Sequence, residues 1–347
     1  MSKLLIAVGV AAIICLTATL SMIPLAGCAG GPAEEEGEIE VVEWAIQHTR
    51  GPATYNSEAL KGFAQIVSQR TNGGFKITIY DSQGLNIPWD EGLETCSTGA
   101  VPIFVSPTSY FGGLNQFFLA ETLAGLINSV EAHSMYTAAL FDLRAKVLAE
   151  YDVRELAHWP FDKQVWAAKK PLPKPEDFKD TRLRVASPDL AYIVDGLDGL
   201  PITMGFNEIY VAMQRGAMDG FCTGVGAMHG ISAWEIADYL TDMTMSQAGE
   251  IVIVNNEAYE ALPRDYRAIL QEESYALQMR MYYLTKTMES EEQAFLISKG
   301  MTYVEASPEL RKAILEIGAE YLTKWAQEGG PDCLEAYQLA QAIGYAK

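Results

Sequence analysis

The sequence predicts an α/β protein of two domains. Strand, helix and strand signals alternate from residue 41 to 106 and again from 182 to about 240, the order of a parallel or mixed sheet with helices on its faces. A run of helix formers without Gly or Pro extends from Pro263 to about Ser298, and the length of 347 residues suits two domains. In order, Val41 to Ile46 alternates as a first strand. Asn56-Ser57-Glu58 offers capping groups to a helix with Leu60, Phe63, Ala64 and Val67 on one side, and Asn72-Gly73-Gly74 ends it. Phe75, Ile77 and Ile79 alternate with polar residues in a second strand; Leu93 to Thr98 is a short helix closed by Gly99; Val101 to Ser106 is a buried strand. Ala138 to Tyr151 is expected as one helix, followed by strands at Val153 to Trp159 and Gln164 to Ala168. Pro171, Pro173 and Pro175 stiffen a surface connection. Arg182 to Val185 alternates as a strand, Phe206-Asn207-Glu208 opens a helix with Asn207 as N-cap, and Glu250 to Asn255 is an apolar strand. In the long helix, Tyr266, Ile269, Leu270, Tyr275 and Leu277 supply apolar surface, and Ser307-Pro308 starts the last helical region.

Composition narrows the function. Hydrophobic residues make up 49% and charged residues 20%, a globular balance. A net charge of -20 argues against nucleic acid, whose phosphates need a basic surface. It leaves an anionic ligand open, because one buried arginine can set the local field of a cleft. Enzyme signals are poor. The four histidines, His48, His133, His158 and His229, are scattered without metal-ligand spacing, so no metal site is expected. Gly-x-Ser-x-Gly, His-Glu-x-x-His and phosphate-loop motifs are absent from the sequence. The acidic runs at Glu34-Glu35-Glu36 and Glu291-Glu292 have the character of solvated charge.

The amino terminus has the form of a targeting segment. Lys3 precedes an uncharged run from Leu4 to Ala33, and Leu25-Ala26-Gly27-Cys28 resembles the lipobox of bacterial lipoproteins. That implies a signal peptide over 1–27, lipidation at Cys28 and a Gly- and Glu-rich flexible tether over 28–40. An ordinary signal peptide and a retained membrane helix are the alternatives. Beyond Cys28 stand Cys96, Cys222 and Cys333. Their spacing specifies no disulfide, and small buried hydrophobes are the simpler reading.

The most informative stretch runs from Pro173 to Gly220. Asp177-Phe178-Lys179-Asp180 with Arg182-Leu183-Arg184-Val185, then Gly205-Phe206-Asn207-Glu208-Ile209-Tyr210 and Gln214-Arg215-Gly216-Ala217-Met218-Asp219-Gly220, resembles the DctP-like substrate-binding proteins of TRAP (tripartite ATP-independent periplasmic) transporters. Thr71-Asn72-Gly73-Gly74, Trp234-Glu235 before Tyr239-Leu240, and Leu262-Pro263 extend the likeness from about Glu43 to about Val304. The resemblance implies a periplasmic-binding-protein-like fold, with two α/β domains around a ligand cleft and a long spanning helix. It implies domain I over 41–163 plus about 252–291, and domain II over 164–251 plus about 292–347.

The resemblance also implies site residues. Arg184 holds the position of the arginine that grips the ligand carboxylate; on pattern alone it pairs with a structural Asp or Glu. Arg182, at a position usually Lys, is expected to be solvated. Phe206 matches an aromatic that packs on the ligand. Thr223 stands where many members have Asn. Gln164 lies near a position often filled by a second arginine, so the cleft is expected to have one cation fewer than in sugar-acid binders. Thr49, Ser106, Thr108 and Tyr110 fall on loops resembling cleft-lining loops, at the carboxyl ends of strands where ligands of open sheets bind. Trp89, Trp159 and Trp166 are candidate aromatic walls. The implied function is an extracytoplasmic, lipid-anchored solute-binding protein that delivers a small carboxylate to TRAP permease subunits, with no cofactor and no catalysis. Whether a metal ion bridges the ligand is left open, and a surface sensor serving a receptor kinase and an extracytoplasmic enzyme are the alternatives.

Overall fold

The computed structural model describes residues 41–48, 50–52, 54–82, 84–123, 127, 129–242 and 247–346. The leader, Cys28, the tether and Thr49 lie outside these residues. No helix among the described residues is long and apolar enough to cross a membrane.

The chain begins with β1 (Val42–Gln47), α1 (Tyr55–Arg70), β2 (Phe75–Tyr80), α2 (Gly92–Ser97) and β3 (Ile103–Pro107). The cap of α1 is Thr54, whose hydroxyl accepts from the Ser57 N–H, rather than a group at 56–58. Positive φ at Asn72 (52°) and Gly73 (80°) turns the chain out of α1 into β2. Then come α3 (Val130–Ala139), α4 (Phe141–Ala149) and β4 (Val153–Pro160). The single helix expected over 138–151 is therefore two helices meeting at Leu140, the first capped by Ser129. The chain continues through β5 (Gln164–Ala168), β6 (Arg182–Val185), α5 (Pro188–Gly196), β7 (Leu200–Thr203), α6 (Ile209–Gln214), β8 (Gly220–Gly224), α7 (Val225–Gly230) and β9 (Tyr239–Asp242). Before α6, Phe206–Glu208 forms a 3-10 turn in which Glu208 Oε2 accepts the Gly205 N–H at 2.9 Å; Asn207 lies inside the turn and is not its cap. The last elements are β10 (Gly249–Asn255), α8 (Asn256–Ala261), α9 (Arg264–Ser298), β11 (Thr302–Glu305), α10 (Pro308–Glu328) and α11 (Pro331–Ala342).

The described strands form two mixed sheets. The first has the order β2-β1-β3-β10-β4, the second β11-β9-β5-β8-β6-β7. Gly249 to Asn255 pairs along its whole length with β4 in the first sheet, so that sheet takes in residues 249–251, three before the expected boundary near 252. The chain passes from the first sheet to the second at 161–163 and returns between Asp242 and Gly249.

The 35-residue α9, about 52 Å long at 1.5 Å per residue, spans both sheets. Leu270, Leu277 and Met281 pack in the cluster under the first sheet, and Leu296 in a cluster of the second. Tyr275, expected on the apolar face, is exposed. The helix also holds both crossings: Glu289 Oε1 accepts the Lys163 N–H and the Gln247 side-chain N–H, each at 2.7 Å. Leu310 and Ile314 of α10 pack against α5, but Leu322, Trp325 and Ala326 and the buried face of α11 join the cluster of Phe111, Phe117 and Tyr136 beside the first sheet. The tail, expected with the second domain, thus returns to the first sheet because its apolar stripe is split between two cores. Cys96, Cys222 and Cys333 are buried free thiols; burial pushes Cys96 and Cys333 up to about 12.

Candidate functional site

The strand ends build a cavity of about 580 Å³ of empty space, part of it open to solvent at the mouth. The first-sheet side supplies Arg50 after β1, Trp89, Pro107 at the end of β3, Tyr110 after it, and Phe161 after β4. The second-sheet side supplies Gln164, Arg184, Ser187, Leu190, Phe206 and Thr223. Several aromatic rings and few, convergent polar groups are the make-up of a small-molecule site.

Arg184 is 1% exposed. Its neighbours Leu183 and Val185 point into the cluster under α5, so strand alternation turns Arg184 to the opposite face. Nε donates to the Met204 carbonyl and Nη1 to the Cys222 carbonyl, each at 3.1 Å. Both partners are neutral, and Nη2 is buried with no hydrogen-bond partner among the described residues. A buried guanidinium N–H without an acceptor is a donor waiting for an anion. Arg182, in contrast, forks onto Asp219 at the surface (2.7 and 3.0 Å).

Arg50 is a second cavity arginine. Nη1 donates to Asp162 Oδ2 at 3.0 Å and the guanidinium lies 3.8 Å over the Phe161 ring, while Nε and Nη2 are buried without partners among the described residues. Burial alone would lower this guanidinium, but the carboxylates of Asp162 and Glu250 outweigh it and hold it above its ordinary value. Asp162 also takes the Gly226 N–H at 2.9 Å and the Tyr55 hydroxyl. Burial and that carboxylate push the Tyr55 phenol well up. Gly226 permits the approach: a Cβ there would sit 2.7 Å from Asp162 Oδ2. The expectation that Gln164 leaves the cavity one cation short is corrected by Arg50, which enters from a different strand. The rule that singled out Thr49, that ligands bind beyond strand carboxyl ends, points equally to Arg50 one residue on.

The other expected residues divide. Phe206, Thr223, Gln164 and Tyr110 line the cavity, and so does Trp89, whose ring is 5.7 Å from Tyr110 and 6.1 Å from Phe206. Gln164 Nε2 donates to the Asp162 carbonyl at 3.3 Å. Ser106 is buried inside β3, short of the cavity. Thr108 turns away from it, towards Glu121 and the Gly249 carbonyl. Trp166, expected as a wall, is core: it packs edge-on against Phe178 at 5.7 Å, two residues along β5 from the cavity end at Gln164. Trp159 is likewise buried, its indole N–H donating to Glu250 at 2.9 Å.

The histidines are less scattered in space than in sequence. His133 and His158 stack at 5.2 Å with Glu121 beside them, a convergence that sequence spacing does not reveal. Burial takes His133 down to about 3, which leaves it neutral at ordinary pH.

Residues 46–328 match the family described as bacterial extracellular solute-binding protein, family 7. A C4-dicarboxylate-binding periplasmic protein of Rhodobacter capsulatus is 27% identical over 229 residues, 65% of this chain and 68% of that protein. A solute-binding protein of Albidiferax ferrireducens is 25% identical over 294 residues, 83% of this chain and 86% of the relative. Among solved structures, an extracytoplasmic solute receptor of Bordetella pertussis that binds pyroglutamic acid has a TM-score of 0.83 at 22% identity, covering 87% of this chain and 100% of that one. A TRAP periplasmic solute-binding protein of Rhodoferax ferrireducens with bound malonate has a TM-score of 0.79 at 24% identity, covering 86% and 97%. At these identities the structural likeness is one of fold.

Proposed function

The chain belongs to family 7 of the bacterial extracellular solute-binding proteins, and we propose that it captures a small organic acid outside the cytoplasm and delivers it to the membrane permease of a TRAP transporter. The observation that carries this reading is Arg184 Nη2, a buried cationic donor with no partner among the described residues, facing a cavity walled by Trp89, Tyr110, Phe161 and Phe206. A carboxylate would accept from it, and the rings would cover the ligand body. Arg50 shares its charge with Asp162, so a second carboxylate would compete with Asp162 for it. That favours a monocarboxylate over a dicarboxylate. Of the acids bound by the structural relatives, pyroglutamic acid is a monocarboxylate of this kind, whereas malonate is a dicarboxylate.

In this reading the two sheets are the cores of two lobes that close on the acid, with 161–163 as one connection between them. Contacts made only in the closed state drive closure. The protein binds and releases its ligand without changing it. Leu25-Ala26-Gly27-Cys28 supports a lipid anchor at Cys28, with 28–40 as the tether. The test is to denature the purified protein and identify the released small molecules by mass spectrometry, alongside a thermal-shift panel of organic acids. One carboxylic acid per chain, or an acid that raises the melting temperature, supports the reading. No co-purified acid and no response to any acid in the panel contradicts it.

A further inference from the structure

A second group of chemically capable residues lies apart from Arg184. Glu121, His133 and His158 come from three separated segments, and one donor atom from each lies within 4.8 Å of the other two. All three residues are buried. His133 and His158 line a surface groove between α3 and α9, whose walls include Thr137, Arg144, Gln278 and Tyr282, with Glu121 behind them.

We propose that Glu121, His133 and His158 form a binding site for a divalent transition-metal ion of the zinc class, reached through that groove and separate from the carboxylate cavity. Two imidazoles and one carboxylate are a donor set suited to such an ion, with the fourth position left to water. The second observation is His133 itself. It is 1% exposed, and neither ring nitrogen has a hydrogen-bond partner among the described residues. A buried imidazole left wholly unpaired is destabilising, and a metal bond would satisfy it.

The surrounding charges permit a cation. Arg144 Nη1 occupies Glu121 Oε1 at 3.0 Å, which leaves Oε2 facing His158 Nε2 at 2.7 Å. Glu155 neutralises Arg144 through two bonds, at 2.5 and 3.3 Å. The ion would sit between Glu121 Oε2 and His158 Nε2, opening that pair to about 3.3 Å, with His133 drawn in. The proton between them leaves, to Nδ1 or to solvent. Gly249 keeps this space clear: a Cβ there would lie 2.0 Å from Glu121 Oε2 and 2.6 Å from His158 Nε2.

The test uses the untagged full chain, stripped with a chelator and dialysed against micromolar Zn²⁺ before elemental analysis. About one zinc per chain is expected for wild type and for Arg184→Ala, and none for His133→Ala or His158→Gln, each checked for fold by circular dichroism. Wild type without a saturable equivalent, or folded His133→Ala and His158→Gln that both keep it, overturns the site. Should neither variant fold, the visible spectrum of the Co²⁺-loaded wild type decides. Tetrahedral bands support the site, and a spectrum like that of the hydrated ion overturns it.

Discussion

Arg50 Nη1 stands 3.0 Å from Asp162 Oδ2, and the pair is almost completely shielded from water. Arg50 follows the first strand of the first sheet, Asp162 sits in the crossing to the second, and Gly226 donates to the same carboxylate from the second. One carboxylate thus ties together both sides of the cavity.

Asp162→Asn would leave Arg50 charged and buried with a neutral partner. Losing one member of such a pair costs about 3 kcal/mol. Urea unfolding should show that loss, and a saturating acid ligand should restore part of it. A midpoint equal to wild type would mean that Arg50 does not depend on Asp162.

How much of this was legible in the sequence depended on the range of each interaction. The strand Arg182 to Val185 matches the structure because alternation is local, and the short apolar run Gln164 to Ala168 matches as a fully buried strand. Arg184 was visible through its motif. The strand-end rule reaches Arg50 as well as Thr49, but its pairing with Asp162, 112 residues away, has no local signature. The caps at Thr54 and Gly205 were missed for a smaller reason: several polar residues stood close together, and only geometry selects which one accepts. The split of α10 between two cores and the meeting of Glu121, His133 and His158 are tertiary facts with no local signature.

Trp89 and Phe206 meet across the mouth from opposite sheets, 6.1 Å apart. Trp89→Ala removes that contact and one wall of the cavity. Aromatic pairs of this kind contribute about 1 kcal/mol beyond their area, so acid affinity should fall about fivefold with the fold retained. Titration calorimetry checks it; an unchanged dissociation constant would remove Trp89 from the ligand-binding surface.

Glu289 gives the crossings a pH response. Burial pushes its carboxyl up to about 7, and the nearby Asp162 charge adds to the rise. The folded state therefore holds this proton more tightly than the unfolded chain. Its stabilising contribution is complete below about pH 4.5 and is lost as pH rises through about 7. Because the group is only partly buried, the difference is about 1–2 kcal/mol. Glu289→Gln should flatten the pH dependence of stability between those limits relative to wild type. Parallel curves for the two proteins would contradict the assignment.

The central claim is that Arg184 holds the ligand carboxylate. It is tested by calorimetric titration of wild type and Arg184→Ala with the acid that co-purifies or gives the largest thermal shift. Removing a buried charged hydrogen bond of this kind costs about 3 kcal/mol or more, so binding should weaken at least a hundredfold in a variant whose circular dichroism matches wild type. A folded Arg184→Ala that binds the acid as tightly as wild type would contradict the account.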